Sequence, residues 1–326
     1  MNTRKLGWTD LHLTEIGFGA WAIEGGDWAF GWGPQDDEDS IAAIRRAIEL
    51  GVNWIDTAAI YGLGHSEEVV AKAVAGMRDK VIIATKCSQV WNEKRETSHS
   101  LKRESILAEC EASLKRLNTD HIDLYQIHWP DVNDPIEEGW EAITRLIEQG
   151  KVRYGGVSNF TPADMDRCKG ARVASLQPPY SMMRRAVESL QYPYCEAHKI
   201  GVVAYSPMQA GLLTGRFDRS KVAANDWRAR SPEFNPPNLE VNLAFVEKLR
   251  EIANGYQKTV AQLALAWVLR LPVVTSAIAG ARNARQIEET VGGAGWKISD
   301  EDLKTIDGLL AWRLEECRKA GGVARG

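Results

Sequence analysis

Cysteine pairing, metal-ligand spacing, charge imbalance and long apolar runs are all missing from this chain. Its five cysteines form no CxxC pair and are odd in number, which argues against a disulfide framework and predicts buried free thiols in a reducing cytoplasm. Its six histidines show neither HxxxH nor HExxH, so the spacing offers no metal site. No run reaches the roughly 18 apolar residues that cross a bilayer, and the opening MNTRKLGWTDLHL lacks an apolar signal core. The formal net charge is -4, with acidic and basic residues interspersed. Neither a nucleic-acid-binding basic stripe nor a membrane-seeking patch is expected. Repeats and low-complexity tracts are also lacking, and self-association is left open.

What remains is an ordinary soluble composition, 44% hydrophobic and 26% charged, over 326 residues. That length allows two domains, but α/β barrels commonly reach it as one unit. Short β-branched runs alternate with amphipathic stretches. The predicted strands cover residues 15–19, 52–57, 81–86, 122–128, 152–158, 174–178, 202–207 and 274–280. Between them lie helix patterns such as DSIAAIRRAIELG, SEEVVAKAVAG, ESILAECEASLKRL and PIEEGWEAITRLIEQG. In the first of these Ile41, Ile44 and Ile48 share one face and a glycine ends the run. Eight strand–helix units predict an α/β protein, a (β/α)8 TIM barrel forming one domain over 1–326. RKLGWTDLHL predicts an N-terminal β-hairpin over the barrel's lower end, and SDEDLKTIDGLLAWRLEE an additional C-terminal helix. Residues 208–238 read as a long polar, Gly- and Pro-containing loop, a length usually kept for function.

A barrel of this kind builds its site where the strands end. Asp56, Lys86 and His128 end the second, third and fourth predicted strands, and Tyr61 follows in the loop after the second. Singly, each has an ordinary explanation: Asp56 as a cap, Lys86 as a solvated strand end, His128 as a structural histidine. Together they make a proton-donating group. A phenol ionises near pH 10, and a neighbouring ammonium favours phenolate. Asp56 is therefore expected to hold Lys86, and Lys86 to lower the Tyr61 pKa.

DTAAIYG followed by SEE, ATK, DLYQIHWPD, GKVRYGGVSNF, AYSPMQAGLLTG and AGARNARQIEE together resemble the aldo-keto reductase superfamily, from about residue 4 to 310. IHWPD, YSPMQAGLLTG and the long loop are most similar to its bacterial branch near the potassium-channel β subunits. The resemblance implies hydride transfer from a reduced nicotinamide to a small aldehyde or ketone. Asp56, Tyr61, Lys86 and His128 would be the catalytic tetrad, Tyr61 the general acid, and His128 a donor to the carbonyl oxygen.

GFGAWA at 17–22, with Asp36 and Asp37 beyond it, mimics a dinucleotide fingerprint, but IEGGDWAFGWGPQ cannot be the helix that motif must open. Gly19, Ala20 and Trp21 are instead expected to line the mouth. The resemblance implies that Ser158, Asn159 and Gln177 hold the nicotinamide carboxamide and that Tyr205 stacks on its ring, with Asp56 also near the cofactor. Ser158-Asn159 reads equally as a helix cap before TPADMDRC. SPMQAGLLTGR offers small residues whose backbone N–H groups can approach a pyrophosphate, and it ends in Arg216; Ser206, Pro207, Met208, Gly211 and Leu212 are its expected cofactor contacts. Gly280 permits close approach, Arg282 and Gln286 could reach an adenosine phosphate, and Glu289 the adenine amine. Thr290 stands where the family often has asparagine. Two arginines at a helix start, Arg282 and Arg285, suit a 2′-phosphate, so NADPH is the expected cofactor; a solvated helix face is the plain alternative.

The chain has twelve tryptophans. Trp21, Trp28, Trp32, Trp91 and Trp129 fall in rim loops, as does Trp227; they would form an apolar collar for substrate or pack the loops together. WAFGWGPQDD resembles the loop of reductases acting on small aldehydes and related sugars. A barrel aldolase with Lys86 as Schiff base is disfavoured by Asp56, because that chemistry needs a neutral amine. A nucleotide-sensing regulatory subunit is disfavoured by His128, where the channel β proteins carry asparagine.

Overall fold

A computed structural model describes residues 1–25, 31–131, 133–224 and 226–322 of the chain. Trp28, expected in the substrate collar, lies outside the described residues. The strands, in chain order, are β1 (Thr3–Lys5), β2 (His12–Thr14), β3 (Ile16–Gly19), β4 (Trp54–Asp56), β5 (Ile82–Cys87), β6 (Gln89–Trp91), β7 (Thr97–His99), β8 (Ile122–Ile127), β9 (Val152–Ser158), β10 (Ser175–Gln177), β11 (Gly201–Ala204) and β12 (Val274–Gly280). Eight of them, β3-β4-β5-β8-β9-β10-β11-β12, close into a barrel whose neighbours pair in parallel. The predicted eight-stranded α/β barrel is the observed one.

The helices are α1 (Asp37–Glu49), α2 (His65–Ala73), α3 (Arg103–Leu117), α4 (Ile136–Glu148), α5 (Pro162–Asp166), α6 (Gln191–His198), α7 (Asn238–Gly255), α8 (Val260–Leu269), α9 (Ala284–Val291) and α10 (Asp300–Lys319). Local chemistry sets their ends. Asp36 caps α1 by accepting from the Glu38 and Asp39 N–H groups at 2.8 and 3.2 Å, and three acids fill the first turn. This cap is the work of the acid that mimicked a ribose ligand; after Gly19 the chain makes only a short 3-10 turn, Ala20–Ile23, so no dinucleotide helix opens there. Ile41 and Ile44 bury against the barrel and Ile48 packs beside them.

The N-terminal hairpin forms as expected, β1 antiparallel to β2. Its Leu6, Leu11 and Leu13 meet Trp54, Ala84, Leu124, Val203 and Ile278 inside the lower barrel. Gly17 must lack a side chain here, since a Cβ would lie 2.1 Å from the Trp54 ring. The 208–238 region carries 3-10 turns at Gln209–Thr214, Arg219–Lys221, Trp227–Arg230 and Pro232–Phe234 before α7 begins. A second antiparallel hairpin, β6–β7, rises from the loop after β5. The C-terminal helix is α10, and no described helix is long and apolar enough to cross a membrane.

Candidate active site

Side chains two residues apart on a strand share a face. Trp54, Ala84, Leu124, Val203 and Ile278 point into the lower barrel; two residues further along their strands stand Asp56, Lys86, Gln126, Tyr205 and Gly280. The same alternation that fills the bottom with apolar groups thus delivers polar ones to the C-terminal mouth.

Lys86 is fully enclosed. Its Nζ donates to Asp56 Oδ1 at 2.6 Å, to the Thr57 carbonyl at 2.8 Å and to Tyr61 Oη at 3.5 Å. The other Asp56 oxygen accepts from Gln177 Nε2 at 2.7 Å and from Gln126 Nε2 at 3.5 Å. The Tyr61 ring is 8% exposed and meets His128 edge-on, centroids 5.8 Å apart. Gly62 lets the chain turn directly after the phenol: its φ is +60, and a Cβ would lie 2.1 Å from the Glu24 carbonyl. The four residues expected at the rim therefore converge.

One expectation fails. Tyr61 is pushed well above its ordinary pKa, first by burial and then by the negative charges of Asp56 and Glu24, with Tyr205 adding to them. The physical reason is that Lys86 is committed to Asp56, so the phenol faces a nearly neutral pair and desolvation decides. Burial also lowers the Lys86 pKa against the pull of Asp56. Desolvation and the Lys86 charge push His128 well below its ordinary value, so it is a neutral imidazole. The mouth therefore holds a protonated phenol beside a neutral histidine.

Around this centre stand the residues expected to meet the cofactor. Ser158 Oγ donates to the Gln177 carbonyl at 2.8 Å; Asn159, left-handed at φ +62, donates to the His128 carbonyl at 3.0 Å and accepts from Tyr205 Oη at 2.9 Å. The cap before α5 is not Ser158-Asn159 but Thr161, in a capping box with Asp164. Gln177 spends its amide donor on Asp56. Beyond Tyr205 the backbone is left-handed at Ser206, Gln209, Ala210 and Gly211, and the Gln209 and Gly211 N–H groups donate to the Ser206 and Met208 carbonyls at 2.9 and 3.1 Å. Pro207 and Leu212 are buried, and Met208 packs on the core. Gly19 and Gly280 are paired across β3 and β12.

The adenosine-end residues are more occupied than expected. Arg282 Nε donates to Gln35 Oε1 at 2.7 Å, Nη1 to the Trp32 carbonyl at 3.3 Å, and Nη2 to the Pro34 carbonyl, so this arginine clamps the loop after β3. Its backbone N–H donates to Gln286 Oε1 at 2.8 Å. Arg216 and Glu289 form an ion pair at 2.8 Å that ties the long loop to α9. Thr290 is buried, and its hydroxyl donates to the Ile287 carbonyl at 3.2 Å.

The tryptophans divide. Trp21 lies between Tyr61 and Trp227, stacked at 6.3 Å from each, and Trp32 stands edge-on to Trp21 at 5.3 Å and to Trp227 at 6.4 Å. Arg228 covers Trp32 at 4.4 Å. These rings pack loop on loop, with Trp21 presented to the phenol. Trp91 joins the apolar cluster of Ala58, Ile60 and Tyr61, and Trp129 is 39% exposed at the rim. Gln126, Thr57 and Glu24 are site residues that sequence reasoning did not single out; Gln126 shares its strand face with Leu124, which is the pattern that reveals it.

A closed parallel barrel whose mouth carries a buried acid–ammonium pair against a phenol and a neutral histidine is that of an oxidoreductase acting on carbonyls. The chain belongs to the Aldo/keto reductase family, whose sequence model matches residues 15–311. Members of this family use a nicotinamide cofactor on small carbonyl substrates. The chain is 40% identical over 307 residues to aldo-keto reductase YhdN of Bacillus subtilis, spanning 93% of this chain and 91% of that one. It is 35% identical to the NADH-specific methylglyoxal reductase of Escherichia coli, over 97% of this chain and 100% of that one. The solved glycerol dehydrogenase AKR11B4 of Gluconobacter oxydans superposes with a TM-score of 0.88 at 37% identity, 96% of each chain being covered.

Proposed function

We propose that this protein is an NADPH-dependent reductase of small aldehydes and ketones in which Tyr61 donates the proton. The observation that carries the reading is Lys86 Nζ, bonded to Asp56 at 2.6 Å and 3.5 Å from Tyr61 Oη in a buried mouth. A nicotinamide bound there supplies hydride to the carbonyl carbon. Tyr61 stores the proton that the carbonyl oxygen needs as negative charge develops on it. Neutral His128 hydrogen-bonds that oxygen and orients the substrate. Lys86 Nζ holds the phenol oxygen in place at 3.5 Å, and Asp56 keeps Lys86 charged and positioned. Trp21, with Trp32 and Trp227 behind it and Trp91 and Trp129 at the rim, gives the carbonyl an apolar, water-excluding wall.

The lining fits a dinucleotide: the polar side chains of Ser158, Asn159 and Gln177, the Tyr205 ring, the turn from Ser206 to Gly211 with Arg216, and the start of α9. Arg282 and the exposed Arg285 favour a 2′-phosphate. The clamp that already engages Arg282, and the relative described as NADH-specific, favour NADH instead. Free thiols, most of them buried, suit a cytoplasmic setting.

A panel of small aldehydes and ketones assayed with both cofactors tests the reading. Turnover with NADPH exceeding that with NADH is expected. Replacing both Arg282 and Arg285 by alanine should raise KM for NADPH roughly tenfold and leave KM for NADH unchanged; equal rises would assign these arginines to loop packing. Tight cofactor binding without turnover would make the protein a nucleotide-responsive regulator.

A further inference from the structure

β5 and β8 stay joined beyond their ladder. Lys86 pairs with Gln126 and Cys87 with Ile127. Past that point the His128 N–H donates to the Cys87 carbonyl at 3.1 Å. Ser88 Oγ then donates to the Trp129 carbonyl at 3.2 Å and accepts the Trp129 N–H at 3.4 Å, bonds that one hydroxyl can make together. Ser88 is thus the last tie between the strand carrying Lys86 and the one leading to His128.

Its conformation is unusual. Ser88 is fully buried with φ +77, a left-handed residue that is not glycine. Such backbone persists only where its surroundings hold it. The holder is Glu109 on α3, whose Oε2 accepts the Ser88 N–H at 2.9 Å while Oε1 accepts from Ser105 Oγ at 3.1 Å. On its other side the Ser88 carbonyl accepts from Ser100 N–H at 3.1 Å.

We propose that Glu109 is a positioning residue for carbonyl reduction: by holding Ser88 in its left-handed turn it fixes the end of β5 against the end of β8, and so Lys86 against His128, more firmly as a carboxylate than as a neutral acid. The proposal rests on the functional reading above. A carboxylate accepts the shorter and stronger hydrogen bond. The groups facing Glu109 are Arg116 and Cys110 on α3, Glu67 from α2, Cys87 from β5 and Tyr125 from β8. Arg116 is engaged by Glu67 at 2.6 Å, which limits what it gives Glu109. Burial keeps the Cys87 thiol and Tyr125 phenol well above their ordinary pKa values and Cys110 at about 12, so all three stay neutral. Burial pushes the Glu109 carboxyl up to about 7, so its charge changes close to neutrality.

The test compares wild type with Glu109→Gln and Ser88→Ala, measuring aldehyde reduction across neutral pH and hydrogen exchange at the Ser88 amide. In wild type kcat should rise roughly three- to tenfold through a midpoint near pH 7, with the aldehyde KM nearly unchanged. Glu109→Gln, which keeps an acceptor but not the charge, should lose the inflection and stay at the low-pH value. Ser88→Ala, which keeps the N–H but cuts the Trp129 tie, should lose it too. At pH 8 the Ser88 amide should exchange several-fold faster in Glu109→Gln than in wild type, and at pH 6 equally. An inflection missing in wild type or surviving in either variant overturns the proposal. Should wild type reduce no carbonyl at all, the functional reading has failed, and the exchange data still decide on Glu109: equal rates at both pH values would remove it as the holder of Ser88.

Discussion

The two ends of the barrel's interior are built from the same strands and do opposite work. Below, Trp54, Ala84, Leu124, Val203 and Ile278 meet the leucines of the β1–β2 hairpin in a sealed apolar plug. Above, two residues along, Asp56, Lys86, Gln126 and Tyr205 make a polar mouth in which Lys86 and Asp56 are nearly inaccessible. The lower layer contributes by removing apolar surface from water. The upper layer costs desolvation of two charges, offset by one short ion pair and the amides of Gln177 and Gln126. Stability is concentrated at one end and chemistry at the other, with a period of two residues separating them.

The comparison breaks most sharply at Lys86. Lys86→Met leaves Asp56 buried and unpaired, which should cost about 3–5 kcal/mol of stability and abolish turnover. Adding Asp56→Asn should restore much of the stability and none of the activity, as read by denaturant midpoints alongside kinetics. A double variant no more stable than Lys86→Met would deny that the two charges depend on each other. At the opposite end, Trp54→Ala should cost a similar ~3–5 kcal/mol by opening a cavity, and it removes the indole N–H that Ser276 Oγ accepts at 3.0 Å while Ser276 keeps its bond to the Thr14 carbonyl. Here the folded fraction should keep its kcat and KM. A changed kcat would show that the plug and mouth are not separable.

A third expectation concerns pH. A raised Tyr61 pKa keeps the phenol protonated until well past the usual tyrosine range, and a lowered His128 pKa keeps the imidazole neutral at pH values well below the ordinary histidine range. In Glu109→Gln, reduction should therefore be level through the neutral range and fall only on the alkaline side. A limb near the ordinary histidine value would place a charge on His128. The difference in phenolate absorbance between wild type and Tyr61→Phe, followed on raising pH, checks the phenol separately. Smallest is the effect of Arg216→Ala: its pairing with Glu289 is largely exposed on the arginine side, 62%, so stability should change by less than about 1 kcal/mol, while KM for the cofactor rises.

Much of this was legible from residues. The eight barrel strands stand where short β-branched runs ended at Gly, Pro or polar positions, and Asp56 and Lys86 are readable because their apolar strand mates mark the inward face. Gln126 carries the same mark, two residues beyond Leu124, but its neutral amide drew less attention than the nearby histidine. The β6–β7 hairpin was hidden because Gln89–Trp91 and Thr97–His99 are only three residues each and mostly polar, with no apolar face to detect. Two facts could not be read from spacing at all. The Tyr61 shift depends on how completely the ring is buried and on Glu24, thirty-seven residues earlier, approaching it. The clamp of Arg282 on the Trp32–Gln35 loop joins segments about 250 residues apart and competes with a role toward phosphate.

A protonated Tyr61, held beside Lys86, finishes the proposed reaction. Tyr61→Phe removes one oxygen from a ring otherwise packed on Trp21 and His128. With cofactor affinity measured by titration and aldehyde reduction by steady-state kinetics, affinity should be unchanged and kcat lower by roughly 10²–10⁴. A kcat within a few-fold of wild type would contradict it.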